Sequence, residues 1–181
     1  IYSDEDKLNP KGLYCDANFK PDFSPDTLLS LNYICHLVVL RRKIVEEVGG
    51  FTVGLEGAQD HDLLLKVTEK TNKIYHIPEI LYHWRMIEGS TSMTISHKSY
   101  ATAKGKLAIE NALARRNIKG TVEKDELSTY YRVYYTYEKE PKISIIIPTK
   151  DYADITEQCL KSLFEKTTYK NYEVILMNNN S

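Results

Sequence analysis

The chain has 181 residues, with 24 basic and 25 acidic side chains and a formal net charge of −1 at pH 7. Its composition, 42% hydrophobic and 27% charged, argues against a disordered, collagenous or coiled-coil protein and predicts one or two globular units. Because the net charge is close to zero, we expect no nucleic-acid partner, and any phosphate-binding site must be local. The three cysteines are widely spaced and odd in number, which favours a reducing compartment.

The first 120 residues combine short β-favouring runs with helical segments. The stretch 1–30 is polar and loop-like, with one helical turn predicted after Ser24-Pro25. The glycine pair Gly49-Gly50 predicts the end of a helix. The predicted elements after residue 30 are a strand over 34–42, a helix over 41–48, an amphipathic helix over 60–70, two short strands over 74–77 and 80–84, and a long helix over 96–116.

The remaining residues follow a different pattern. Residues 121–141 are charged and rich in tyrosine, which predicts a connector with one half-exposed strand. An apolar run over 143–147, an amphipathic helix over 155–166 and a second apolar run over 172–177 then follow. This order and spacing predict a βαβ unit with buried parallel strands, so the expected fold class is α/β.

Two carboxylates, Asp4 and Asp6, follow the apolar pair Ile1-Tyr2, where we expect a strand to leave a sheet. Carboxylate oxygens suit Mg²⁺ or Mn²⁺, and a cation held by one or two carboxylates keeps coordination positions free for phosphates. The alternative interpretation is a solvated acidic turn.

Asp60 lies at the start of a predicted helix, after a loop that contains glycines. It is either the helix N-cap or a general base that takes a proton from an acceptor hydroxyl. The neighbouring His61 and Asp62 point to other faces of the helix, where we expect structural roles.

The segment Tyr82-His83-Trp84-Arg85 ends a predicted strand. In the functional interpretation, His83 is a third metal ligand, Trp84 is a stacking surface for a sugar or base, and Arg85 contacts phosphate. The alternative is a core aromatic residue with a histidine at its rim.

Polar side chains follow both strands of the predicted βαβ unit. Thr149 and Asp151 come after the first strand, and Asn178 and Asn179 after the second. Neighbouring strand ends of this kind form nucleotide pockets in doubly wound sheets. The sequence contains no G-x-G-x-x-G, Walker or G-x-S-x-G motif, which argues against a dinucleotide enzyme, a P-loop NTPase and an α/β-hydrolase.

Taken in order, six blocks of the chain resemble the inverting family-two glycosyltransferases of the GT-A fold. These blocks are 2–7, 19–22, 32–37, 48–51, 59–63 and 81–85. Together they cover about residues 1–119 and match the second half of such a domain, whereas 141–181 is similar to the beginning of one. The resemblance implies a partial GT-A fold, a mixed sheet with flanking helices plus a C-terminal βαβ unit.

The same resemblance implies a domain order. Residues 1–120 would be the metal- and acceptor-binding half of one glycosyltransferase domain, 121–140 a linker, and 141–181 the nucleotide-binding start of a second, tandem domain. A circularly permuted single domain is the alternative arrangement. We expect such a segment to be inactive in isolation, and its exposed strand edges suggest a homodimer formed by strand exchange.

Site residues also follow from the resemblance. Asp4 and Asp6 would form the D-x-D element that binds a divalent cation, Mn²⁺ or Mg²⁺, and the diphosphate of a nucleotide-sugar. Asp60 would be the catalytic base, and His83 would complete the metal site. The remaining expected contacts are Gln59, Trp84 and Arg85 for substrate, and Thr149, Asp151, Asn178 and Asn179 for the nucleotide of the second domain.

The expected activity is transfer of a sugar from a nucleotide-sugar donor to a saccharide or glycolipid acceptor with inversion. The expected setting is bacterial cell-surface polysaccharide synthesis in the cytoplasm, at the inner face of the membrane through other parts of the protein. One competing interpretation is a catalytically inactive saccharide-binding or scaffolding module of the same fold. Another is a metal phosphohydrolase that uses His36, His61 and Asp62 as ligands.

Overall fold

The computed structural model describes residues 1–87, 99–126 and 128–180. It divides into two compact units, Ile1–Thr136 and Tyr137–Ser181, called here the first and second units. No helix within the described ranges is both long enough and apolar enough to cross a membrane.

A three-stranded mixed sheet lies at the centre of the first unit. Strand β1 (Tyr2–Leu8) is its middle strand, between the antiparallel β2 (Tyr14–Asn18) and the parallel β3 (His76–Arg85). The two short strands predicted over 74–84 are therefore one strand, whose pairing with β1 shifts register next to Pro78. The carboxylates of β1 lie inside the strand rather than at its end.

The described residues of the first unit also form four helices. They are α1 (Pro25–Ser30), α2 (Arg42–Glu47), α3 (Gln59–Thr68) and α4 (Ser99–Arg115). The predicted turn after Ser24 is confirmed, because the Ser24 hydroxyl accepts a hydrogen bond from the Thr27 amide at the start of α1. The part of the predicted long helix at 96–98 lies outside the described residues.

The predicted strand over 34–42 is wrong. This segment makes one bridge, between Val38 and Tyr2, with backbone bonds on either side of it. Strand β2 takes the same edge of β1 from Glu5 onward, so no edge remains for a longer pairing.

The core of the first unit joins the start of β1 to helices α1, α3 and α4. Tyr2, Leu28, Leu65 and Ile109 are among its most deeply buried side chains. Small residues on α4, such as Ala108, permit close contact with α3. The amphipathic patterns of both helices thus correspond to faces that are buried.

A β-hairpin completes the first unit. Strands β4 (Gly120–Lys124) and β5 (Tyr131–Tyr135) pair in antiparallel fashion and pack against α4 and α1. Val122 is only 1% exposed and belongs to the core. Most of the segment expected to act as a linker is therefore packed structure in the first unit.

The second unit is the predicted βαβ unit. Strand β6 (Ile143–Thr149), helix α5 (Ala153–Lys166) and strand β7 (Tyr172–Asn178) follow one another, and β6 and β7 pair in parallel without a register shift. The α/β fold class is confirmed. The prediction that these strands are buried is wrong for this chain, since Ile146 and Ile175 are register partners and both are exposed.

Candidate active site

Three consecutive carboxylates occupy the middle of β1. Asp4, Glu5 and Asp6 are 2%, 7% and 7% exposed, although charged side chains are rarely so buried. Each carboxylate has polar partners from other elements, which explains why the strand tolerates them. Since successive side chains of a strand point to opposite faces, Glu5 and Asp6 serve different surroundings.

Asp6 and His83 form a carboxylate–imidazole pair. They are register partners on β1 and β3, and Asp6 Oδ1 lies 2.5 Å from His83 Nδ1. The His83 side chain is 43% exposed, and the ring of Tyr14 lies 4.5 Å away between centroids. Arg85 is two residues further along β3, so the alternation of the strand directs it to the same face.

This pair fits part of a divalent-cation site. Carboxylate oxygen together with imidazole nitrogen suits a metal such as Mn²⁺. Within the described ranges, no group of three or more His, Cys, Asp or Glu side chains is arranged to hold a metal ion. Asp6 and His83 would thus supply two ligands, and phosphate oxygens or water would have to supply the others.

Asp4 has a different environment from Asp6. Its Oδ1 accepts a hydrogen bond from the Lys20 amide at 2.9 Å and lies 2.8 Å from His76 Nε2. The imidazole of His76 stacks on Tyr2, with 4.8 Å between ring centroids. This oxygen therefore anchors neighbouring segments to β1, and metal ligation by Asp4 stays a prediction.

Glu5 and Lys20 form a buried charge cluster, and His36 contacts the same carboxylate. The Lys20 ammonium lies 3.8 Å from Glu5 Oε2, and His36 Nδ1 lies 3.3 Å from the same oxygen. Lys20 Nζ also donates to the backbone carbonyls of Ile34, at 2.6 Å, and of His36. Burial lowers the pKa of Lys20, an effect that the charge of Glu5 opposes. Lys20 thus links the segment around residues 34–36 to the acidic strand β1.

Aromatic rings cover the Glu5 side of the sheet. His36 stacks on Tyr82 at 4.9 Å between centroids and lies 5.5 Å from the ring of Trp84. Trp84 also lines a cavity of about 260 Å³ together with Glu5 and other polar residues. Because Trp84 sits between His83 and Arg85 along β3, it faces the other side of the sheet. The predicted cluster over 82–85 therefore serves two separate environments.

Asp60 lies in the first turn of α3 and is exposed. The N-cap position is Ala58, so the interpretation of Asp60 as the N-cap is wrong. Asp60 Oδ1 accepts a bond from the amide of His61 at 2.9 Å, and Oδ2 accepts one from Asn32 Nδ2 at 3.0 Å. Gln59 Oε1 accepts from the Gly57 amide at 2.5 Å. The carboxylate is held at both oxygens while it remains open to solvent.

The next two residues of α3 have structural roles, as predicted. His61 Nε2 lies 2.7 Å from the carbonyl of Leu28, and burial lowers the pKa of this imidazole. Asp62 is 1% exposed, accepts from Thr52 Oγ1 at 2.6 Å and lies 3.2 Å from Lys66 Nζ. Both side chains are engaged in packing, and in the part of the chain that the structure describes no metal-binding group joins them to His36. The phosphohydrolase interpretation therefore lacks support.

The second unit has a pocket at the carboxyl end of β6. Thr149 and Asp151 line this cavity of about 560 Å³ with residues of α5. Asn178 is the register partner of Thr149, and the Asn179 amide donates to the Thr149 carbonyl at 2.7 Å. The two asparagines thus lie at the same sheet edge as Thr149 but do not line this cavity.

Both units have α/β structure. In the first unit, the acidic strand β1 pairs with β3, which carries His83. In the second unit, polar groups lie at the carboxyl ends of parallel strands. Residues 144–181 match the family model described as Glycosyl transferase family 2. The predicted resemblance to family-two glycosyltransferases is confirmed, and the mixed sheet, flanking helices and βαβ unit agree with a partial GT-A fold.

Two longer proteins are similar to the whole chain. Over 184 residues it is 41% identical to "Uncharacterized protein y4gI" of Sinorhizobium fredii (strain NBRC 101917 / NGR234). Over 181 residues it is 40% identical to "O-antigen biosynthesis protein RfbC" of Myxococcus xanthus. The chain spans 20% of the first relative and 14% of the second.

Several residues of the site had no role in the sequence-based interpretation. Lys20 and Asn32 were part of the matched blocks, but nothing in their local pattern indicates their partners. Their partners, Glu5 and Asp60, lie 15 and 28 positions away in the chain. Because side chains alternate along a strand, the sequence could have indicated that His83 faces the opposite side of the sheet from Tyr82 and Trp84.

Proposed function

We propose that the chain is part of a glycosyltransferase that moves a sugar from a nucleotide-sugar donor to a saccharide or glycolipid acceptor with inversion. The observation that carries the proposal is the Asp6–His83 pair, which shares a sheet face with Arg85. A carboxylate, an imidazole and a guanidinium on one face suit a metal-bound diphosphate. The family match of residues 144–181 supports the same reaction class.

In the proposed single displacement, Asp60 is the general base. Its exposed carboxylate accepts the proton of an acceptor hydroxyl while that oxygen attacks the anomeric carbon and the bond to the diphosphate breaks. Both Asp60 oxygens already accept one hydrogen bond each, and each retains a lone pair for this proton.

The residues that would hold a divalent cation, Mn²⁺ or Mg²⁺, are Asp6 and His83, with Asp4 as a further predicted ligand. When bound, the cation would neutralise charge that develops on the departing diphosphate. Arg85 would contact a phosphate oxygen, and Trp84 and Gln59 would contact the sugars.

We place the reaction in bacterial cell-surface polysaccharide synthesis, in the cytoplasm and at the inner face of the membrane through other parts of the protein. The support is the 40% identity to a relative named for O-antigen biosynthesis. The second unit would begin a tandem domain, in which Thr149, Asp151, Asn178 and Asn179 bind the nucleotide. Strand exchange through β6 and β7, which would form a homodimer, is proposed on the exposed apolar residues of these strands.

The decisive experiment uses the full-length protein that contains this chain. Release of nucleoside diphosphate is measured separately for UDP-, dTDP- and GDP-linked sugars with Mn²⁺, so that a second domain with another donor does not mask the result. We expect Asp60→Asn to lower kcat by about 100-fold or more, the contribution typical of a general base. We also expect Asp6→Asn to weaken the dependence on Mn²⁺.

Asp26→Asn is the matched control, because Asp26 is also an acidic residue in the first turn of a helix. Its activity should equal that of the unmodified protein. Full activity of Asp60→Asn with every donor would refute the proposed base. We further expect the 181-residue segment alone to show little transfer, and robust turnover by it would contradict the assignment to two partial domains.

A further inference from the structure

Asn32 uses both ends of its side-chain amide. Its Nδ2 donates to Asp60 Oδ2 at 3.0 Å, and its Oδ1 accepts from the amide of Cys35 at 3.3 Å. The second bond closes a local turn of the kind that Asn side chains form with a following backbone amide. The orientation of the amide is therefore set from one side by the backbone, which leaves the NH₂ group directed at Asp60.

The segment that carries Asn32 is held firmly on both sides. Tyr33 and Ile34 are 7% and 1% exposed, and the Tyr33 hydroxyl accepts a bond from the Ser24 amide at 2.9 Å. The carbonyls of Ile34 and His36 accept bonds from the buried Lys20 ammonium. Because the backbone of this segment is already fixed, the half-buried side chain of Asn32 forms its bonds without the cost of ordering the backbone.

Asp60 itself is on a rigid element, and its exposed side chain depends on hydrogen bonds for its orientation. The helix around it is fixed by the buried His61 and Asp62. The carboxylate is exposed, so only its hydrogen bonds select one rotamer among the staggered alternatives. The bond to the neighbouring amide of His61 holds Oδ1, and the bond from Asn32 holds Oδ2.

We propose that Asn32 is a positioning residue for catalysis: it holds the Asp60 carboxylate in the orientation in which it accepts the proton of the acceptor hydroxyl. This inference rests on the proposed function, in which Asp60 is the general base. Misplacement of a catalytic group by a fraction of its hydrogen-bond length reduces the rate without a matching loss of substrate binding. Asn32 thus acts on the chemical step and not on the donor.

The test compares two variants of the full-length protein. Asn32→Asp keeps the oxygen that accepts from Cys35 and removes the donor to Asp60, where it places a second negative charge. Asn32→Ser removes the donor without adding charge. We expect kcat to fall by about 100-fold in the first and about tenfold in the second, the range for loss of a hydrogen bond to a charged group. KM for the nucleotide-sugar should change by less than about twofold in both, because neither variant removes a contact with the donor.

Two further measurements distinguish the possible results: the turnover of Asp60→Asn and the stability of the Asn32 variants. Asn32→Ser is also made in the 181-residue chain, where the fluorescence of Trp84, its single tryptophan, should report unchanged unfolding of the first unit. If Asp60→Asn abolishes turnover while both Asn32 variants keep the original kcat, the positioning role is refuted and the proposed function stands. If Asp60→Asn is itself fully active, the proposed base is refuted, and the role of Asn32 with it. A loss confined to KM would also overturn the inference.

Discussion

Replacement of Lys20 by methionine tests whether the buried charge cluster of the first unit contributes to stability. The Lys20 side chain is 1% exposed, and its ammonium contacts Glu5 and two backbone carbonyls. Methionine keeps most of the aliphatic volume and removes the charge and all three polar contacts. The variant therefore isolates the electrostatic and hydrogen-bond contribution of one group.

The expected cost follows from what remains after the substitution. Removal of one partner of a buried ion pair leaves the other charge uncompensated and typically costs about 3–5 kcal/mol. Glu5 keeps contacts with Asn18 and His36, so we expect the lower end, about 3 kcal/mol. Burial already lowers the pKa of Lys20, which shows that desolvation offsets part of the attraction. For a unit of this size the loss corresponds to a decrease in Tm of about 10 °C.

The assay is chemical denaturation of the 181-residue chain, followed by the fluorescence of its single tryptophan, Trp84. Lys7→Met is the matched control, because the Lys7–Asp16 bridge on the same sheet has side chains that are 30% and 60% exposed. Loss of such a surface pair should cost less than about 1 kcal/mol. If Lys20→Met unfolds at the same denaturant concentration as the original chain, the cluster adds no net stability and the reasoning is refuted. In Lys20→Met/Glu5→Gln, part of the lost stability should return.

Two further perturbations address burial elsewhere in the first unit. Because burial lowers the pKa of His61 below the ordinary 6.5, the unfolded chain binds a proton that the folded chain does not as the pH falls below that value. Stability should therefore fall by up to about 1.4 kcal/mol per pH unit in that window, and His61→Gln should lose this part of the pH dependence of Tm. In Gly105→Ala, the new Cβ would lie 2.2 Å from the hydroxyl oxygen of Tyr131, so we expect destabilisation by about 1–2 kcal/mol, which Tyr131→Leu should relieve. A more stable Gly105→Ala, as helix propensity alone would give, would contradict the packing of the hairpin on α4.

The sequence predicted those elements whose pattern is local. Helix α3 and the βαβ unit follow from the periodicity of apolar residues, and the structure has them within a few positions of the prediction. The hairpin over 120–135 was not recognised as part of the first unit, because its charged and tyrosine-rich sequence carries no sign that Val122 is buried. Whether a half-exposed strand packs on a helix depends on tertiary contacts, which composition does not encode.

The acidic strand β1 shows the same limit for the site. Three consecutive carboxylates predict a loop, since unpaired charges are excluded from the interior. They can lie in a strand here because Lys20, His76 and His83 provide partners from 15 to 77 positions away. Residue chemistry suggested His83 as a third metal ligand beside the carboxylates, and the family resemblance implied the same site. The structural role of Asp4 could not be predicted from the sequence, because it depends on partners that are distant in the chain.

The segment 32–36 connects the two parts of the candidate site, since Asn32 contacts Asp60 and His36 contacts Glu5. Lys20 holds the carbonyls of Ile34 and His36 between these two contacts. If the segment acts as one rigid connection, Lys20→Met should lower both the stability and the kcat of the full-length protein, because Asn32 loses its support. Asn32→Ser should lower kcat alone. An unchanged kcat in a folded Lys20→Met protein would mean that the turn closed by Cys35 suffices to orient Asn32, and that the buried lysine serves only the fold.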